Sequence, residues 1–239
     1  MKHFGSRLST WTAYAATLLA ATLVGTAQAK EGSATVRAIR GTADYSTGGG
    51  TWQKLSVGKV LGMGATIRTA ADSEVDLFLK DNGPVVRVTP ETTLGLDTLL
   101  FEETGDETVI TTKLDLKNGR ILGNVKKLAA ASKYEVQIPS GVVGIRGTDY
   151  DISADGVVRV ISGLAVVFYT ENGVANQAQV SEGMAFNAQN KQVTQIPQQV
   201  ITQLQQVIQQ LQNIVLQLQG PVVVNLQPQT TVPTSTTGE

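Results

Sequence analysis

The chain has 239 residues, with 19 Lys and Arg against 20 Asp and Glu, no cysteine and one histidine. Setting aside Lys2 and Arg7 leaves 17 basic against 20 acidic residues, a net charge of −3, so no basic stripe points to nucleic acid. The histidine is His3, so beyond the N-terminal segment Ser-His-Asp and Cys-His catalysis are excluded and ordinary zinc sites lose their ligands.

Residues 1–29 read as an export signal. Lys2 and Arg7 form a basic start, an Ala/Leu-rich stretch runs from Ala13 to Val24, and Ala27-Gln28-Ala29 offers small residues to a signal peptidase. The apolar stretch is shorter than the ~20 residues that span a bilayer, and Thr17 and Thr22 dilute it. Cleavage after Ala29 leaves 210 residues, enough to bury a substantial core. An uncleaved membrane anchor is the competing reading. The absence of cysteine removes any N-terminal lipid attachment.

Residues 30–195 read as an all-β region of short strands. In Glu74-Val75-Asp76-Leu77-Phe78-Leu79, the residues Val75, Leu77 and Leu79 share one face, the period of a half-buried strand. Asn82-Gly83 supplies a tight turn, and Val85–Val88 returns. Further strands are expected at Ser33–Ile39, Thr108–Leu114, Arg120–Val125, Tyr134–Ile138, Val157–Ile161 and Ala165–Tyr169. Lys126–Ser132 reads as a short helix or a loop.

A weak repeat runs through this region. Leu55…Gly58…Val60, Leu116…Gly119…Ile121 and Val180…Gly183…Ala185 each place a glycine between apolar positions. Such a glycine fits a corner of positive φ. A second echo joins Arg40-Gly41-Thr42 to Arg146-Gly147-Thr148. Strand–corner–strand units at irregular period predict a twisted, solenoid-like coil; a sandwich or barrel satisfies the same pattern.

Residues 196–220 predict an amphipathic, Gln-rich helix. Pro197 stands at its start and Gly220-Pro221 at its stop. Ile201, Leu204, Ile208, Leu211, Val215 and Leu218 follow a/d heptad spacing, and Val200, Val207 and Ile214 widen the stripe. This stripe either packs on the chain's own β region or forms a coiled-coil face for homo-oligomers. Residues 221–239 read as a disordered tail, with an edge strand possible at Val222–Leu226.

The densest motif is Tyr134–Ile152, with Pro139, Gly144, Arg146, Gly147, Thr148 and Tyr150 at its marked positions. Together with Leu55…Gly58…Leu61…Gly64…Ile67-Arg68-Thr69, Ser73–Leu79 and Leu116–Val125, it resembles the FecR domain family over about Ser33 to Phe168. The resemblance implies a β-solenoid-like periplasmic domain of the kind that hears a loaded outer-membrane transporter. The sequence itself shows no catalytic site, so no enzymatic activity is expected. About a dozen residues precede the apolar stretch, too few for the family's cytoplasmic sigma-factor-binding region.

The motif reads first as scaffolding, with Gly147 at a corner, Thr148 bonding nearby backbone and Arg146 paired with Asp149 or Asp151. A functional Arg146 would instead fork onto a ligand's carboxylate or phosphate. Asp44, Asp149, Asp151 and Asp155 would bind Ca²⁺ only if they converge, and their spacing is not that of an EF-hand. No metal or other cofactor is therefore expected. The leading expectation is an exported binding or scaffolding module, periplasmic or secreted, for a protein or envelope polymer. A part in FecR-type transmembrane signalling is the alternative, and a carboxylate-only glycan hydrolase a lesser one.

Overall fold

The computed structural model describes residues 29–219 apart from Pro84. The export signal, the tail and its edge strand at Val222–Leu226 lie outside the described residues, as do the side chains of Val215 and Leu218.

The chain builds two sheets by hopping between them. It opens with β1 (Lys30–Glu31) and β2 (Ala34–Arg40), then β3 (Ala43–Thr47), β4 (Gln53–Lys54), β5 (Val60–Leu61) and β6 (Ala65–Thr69). Next come β7 (Glu74–Phe78), β8 (Val85–Val88), β9 (Thr93–Thr104), β10 (Glu107–Asn118) and β11 (Arg120–Asn124). The run closes with β12 (Lys133–Ile138), β13 (Gly141–Ile145), β14 (Asp149–Ser153), β15 (Val157–Ser162), β16 (Leu164–Glu171), β17 (Val174–Ser181), β18 (Met184–Asn187) and β19 (Gln192–Gln195). One sheet has the order β17-β16-β13-β12-β10-β9-β6-β3-β4, with β1 added to β9. The other runs β19-β18-β15-β14-β11-β8-β7-β2-β5. Pairings are antiparallel except β10 with β12, which is parallel.

Glycines make many of the crossings between sheets. All three glycines of the weak repeat have positive φ: Gly58 at 84°, Gly119 at 80° and Gly183 at 74°. At Gly119, between β10 and β11, a Cβ would also stand 2.5 Å from Thr92 Cα, so no larger residue fits. Alternation along each strand turns one face of both sheets inward. Val36, Leu77 and Ile152 of one sheet meet Ile67, Leu114, Val136 and Val167 of the other in one continuous core. Lys126–Ser132 is a loop rather than a helix.

Helix α1 (Gln198–Gln219) follows Pro197 and lies on the outer face of the second sheet. Leu204 packs with Leu122 and Ile161, and Ile208 and Leu211 pack with Val85. Leu204, Ile208 and Leu211 are buried, and Ile201 is half-buried. Leu204, Ile208 and Leu211 of the expected self-association face are therefore packed within the chain. Beneath the helix, Arg87 and Asp76 form a two-bonded ion pair at 2.7 and 2.9 Å. Burial pulls the Arg87 pKa down, but the hydrogen bond and charge of Asp76 more than reverse this and hold it above its ordinary value.

Candidate functional site

The signature residues sit where β13 leaves one sheet and β14 enters the other. Pro139 is exposed in the β12–β13 turn, and Gly144 lies on the outer face of its sheet beside Phe168. Gly147 has φ 65°, and a Cβ there would stand 3.0 Å from Lys127 Cα. Thr148 Oγ1 donates to the Leu164 carbonyl at 2.6 Å and accepts the Leu164 N–H at 3.2 Å. Tyr150 is fully buried, its hydroxyl 3.0 Å from that of Tyr134.

Arg146 does not pair with Asp149 or Asp151. It precedes the corner and remains with the first sheet, whereas the two acids follow it on the outer face of the second. Arg146 is exposed, and its Nη2 donates to the Ala130 carbonyl at 3.3 Å. Asp151 is instead held by Arg120 at 2.5 and 3.0 Å and by Arg159 at 3.0 Å. Asp149 takes the Asn124 amide and the Ser162 hydroxyl. The earlier echo shares the corner but not the contacts: Gly41 has φ 74°, Arg40 pairs with Glu74, and the Thr42 N–H donates to Ser73 Oγ.

The four acids considered for Ca²⁺ do not converge. Asp44 is engaged by Arg68, and Asp155 accepts the Val157 N–H. Among the described residues no group of three or more potential metal-ligating side chains assembles. The aromatics form no exposed row either. Trp52 stacks under Arg68 with the guanidinium 4.2 Å from the ring, Tyr169 packs on Phe186, and Phe168 stands exposed.

The corner's other consequence is a cleft of about 490 Å³. One wall is the loop 126–132, where Lys126 and Lys127 are exposed. The signature corner braces this loop through Arg146 to Ala130, the tight approach of Gly147 to Lys127, and the Val125 N–H bonded to the Thr148 carbonyl at 3.0 Å. The opposite wall is the β7–β8 turn, carrying Lys80 and Asp81. Buried Asn82 anchors that turn, donating to the Leu100 carbonyl at 2.7 Å and accepting Thr112 Oγ1 on its own carbonyl at 2.8 Å. Phe78, Ile110, Val125 and Leu128 line the cleft between the walls.

Lys80 is the feature that sequence reasoning missed. Asn82-Gly83 predicts a tight turn, and a 3₁₀ turn over Lys80–Asn82 forms there, with Lys80 itself at φ 53°. The only sequence signal was the density of turn formers in Asp81-Asn82-Gly83-Pro84.

Two expected results arise directly. Arg146→Ala removes one exposed bond, so global stability falls by less than about 1 kcal/mol. Amide exchange across 126–132 speeds up nonetheless, as mass spectrometry of peptides from that loop would record; unchanged exchange would mean that Arg146 braces nothing. The second concerns alkali. Burial raises the pKa of both Tyr134 and Tyr150 above the ordinary value; the Tyr150 hydroxyl partly offsets the rise at Tyr134, while the charge of Tyr134 adds to the rise at Tyr150. Above about pH 10 the unfolded tyrosines ionise while the folded pair stays protonated, so stability is complete below that pH and falls as pH rises further. Urea midpoints between pH 8 and pH 11 would show the fall, and a Tyr134→Phe/Tyr150→Phe chain would flatten it.

The family model described as FecR protein matches residues 65–166. That span runs from β6 through the signature corner to β16. A solved structure from Parabacteroides distasonis ATCC 8503, titled as a candidate anti-sigma factor, is similar at 17% identity with a TM-score of 0.40. The similarity covers 55% of this chain and 58% of that one, so the chain spans little more than half the length of the protein it resembles. None of the curated proteins matches the chain.

Proposed function

We propose that this chain, whose residues 65–166 match the FecR family model, is an exported, non-enzymatic binding or scaffolding module of the cell envelope. Its partner on this reading is a protein or an envelope polymer. The carrying observation is how the signature residues are used. Thr148, Tyr150 and the acids around them are satisfied by internal partners, so the motif shapes a surface rather than presenting reactive groups. The hopping of successive strands between two sheets supports reading the domain as a flattened, solenoid-like coil. Residues 1–29 are its export signal, residues 30–195 the β domain, 196–220 the closing helix and 221–239 the tail.

The family match also favours a second reading, in which the domain belongs to a FecR-type transmembrane relay. Among the described residues no helix is long and apolar enough to cross a membrane, so this reading rests on the N-terminal segment remaining as an anchor or on a separate membrane partner. N-terminal sequencing and fractionation of the natively expressed protein separate the two. A mature chain beginning at Lys30 and soluble outside the cytoplasm supports the binding module. A chain retaining Met1 in the inner-membrane fraction supports the relay.

A further inference from the structure

We propose that the cleft between the β7–β8 turn and the loop 126–132 binds an extended, acidic peptide segment of a partner protein, which adds as a strand to the open edge of β10. The proposal rests on the binding-module reading and supplies the chemistry of its ligand.

Three independent features meet there. The first is an unpaired strand edge. β10 pairs with β9 along its length, but on its other side β12 joins only from Thr111, opposite Lys133. Residues 107–110 therefore have no neighbouring strand on that side. The Ile110 N–H points that way and donates to Ser132 Oγ at 3.0 Å. By strand alternation the N–H and C=O of Thr108, which also lines the cleft, face the same side. With the Ile110 N–H already held by Ser132, an extended peptide laid there gains its main-chain hydrogen bonds at Thr108, the source of affinity in strand addition.

The second is charge. Lys80, Lys126 and Lys127 surround the opening, and the only acid lining it is Asp81, 3.5 Å from Lys80. Lys126 and Lys127 make no ion pair among the described residues. The acids of the β9–β10 hairpin, including Glu107, are not among the lining residues. Three cations against one acid select a ligand with carboxylates. A strand's alternate residues face opposite sides, so a peptide with acids at every second position gathers them on one side, apart from its other residues.

The third is an apolar floor. Ile110 and Val125 are buried, and Phe78 and Leu128 are half-buried. They suit the aliphatic residues that alternate with the acids. The signature corner then has a role beyond architecture. Arg146 is a positioning residue, holding the loop that carries two of the three lysines.

The test uses the full mature chain, immobilised, and two pools of ten-residue peptides. Both have Val, Ile, Leu or Thr at even positions; one has Asp or Glu at odd positions, the other Lys or Arg. The acidic pool is expected to be retained at least tenfold more than the basic pool. Lys126→Glu/Lys127→Glu should abolish that preference while circular dichroism and the urea midpoint stay unchanged, because both side chains are exposed. N-methylation of alternate peptide amides should reduce retention at least tenfold, since it blocks one hydrogen-bonding edge. Equal retention of the two pools, or indifference to the lysine reversals, overturns the site. Indifference to N-methylation, or equal retention of an acidic polysaccharide such as polygalacturonate, overturns strand addition. If the chain is exported and soluble yet no acidic peptide is retained, the cleft proposal fails alone; if the chain stays anchored, the binding-module reading fails first.

Discussion

Asp76→Ala is expected to cost about 3–5 kcal/mol, the usual penalty for stranding one member of a buried ion pair. Asp76 and Arg87 face each other across β7 and β8, with side chains 1% and 6% exposed. Helix α1 covers them, and its Gln210 Oε1 accepts a third Arg87 bond at 3.4 Å. Without the carboxylate, the guanidinium is left as a buried cation with one weak neutral partner. It must then pull water under the helix or push the helix away. Replacing both residues, as in Asp76→Leu/Arg87→Met, removes the charge with its partner and should restore most of the loss. Urea denaturation of the single and double variants decides the matter. A loss below 1 kcal/mol for Asp76→Ala would mean that the pair is wet and the helix is not seated over it.

Gly163→Ala is expected to destabilise by about 2–5 kcal/mol, combining positive-φ strain of about 1–2 with overpacking of about 1–3. Gly163 turns the chain from β15 into β16 at φ 85°. A Cβ there would stand 2.1 Å from the Gly147 carbonyl oxygen and 3.1 Å from Thr148 Cα. Both are backbone atoms of the signature corner, so no side-chain rotation relieves the overlap. The displacement also reaches the two Thr148–Leu164 bonds, one residue away. Gly173 is the control. Its φ is 79° but its Cβ would meet nothing within 4 Å, so Gly173→Ala should show the strain alone. Equal losses for the two variants would contradict the packing of the two corners against each other.

Much of the fold was legible in the sequence because its signals are local. The period-two stretches around Val75–Leu79 and Tyr134–Ile138 became strands, and the positive φ expected of the repeat glycines is found at Gly58, Gly119 and Gly183. Pro197 and the apolar stripe marked α1 for the same reason. What escaped was non-local. The pairing of β10 with both β9 and β12, and hence the open edge at 107–110, depends on which strands come together and not on any one of them. The partner of Arg146 was misjudged because sequence neighbours after a corner belong to the other sheet. The Asp76–Arg87 pair, by contrast, was available: folding the chain about the turn at residues 81 and 82 places Val75 against Val88 and Asp76 against Arg87. A charged residue flanked by apolar neighbours in each strand, Asp76 between Val75 and Leu77 and Arg87 between Val86 and Val88, was the clue.

Helix α1 is the last described element to be synthesised, yet it lies over strands made long before it. Without it, Phe78, Val85, Leu122 and Ile161 stand uncovered on one sheet face. The strands' hydrogen bonding is complete without the helix, but the burial of that face is not. A chain truncated before Gln198 would therefore show an apolar patch however well its strands had paired.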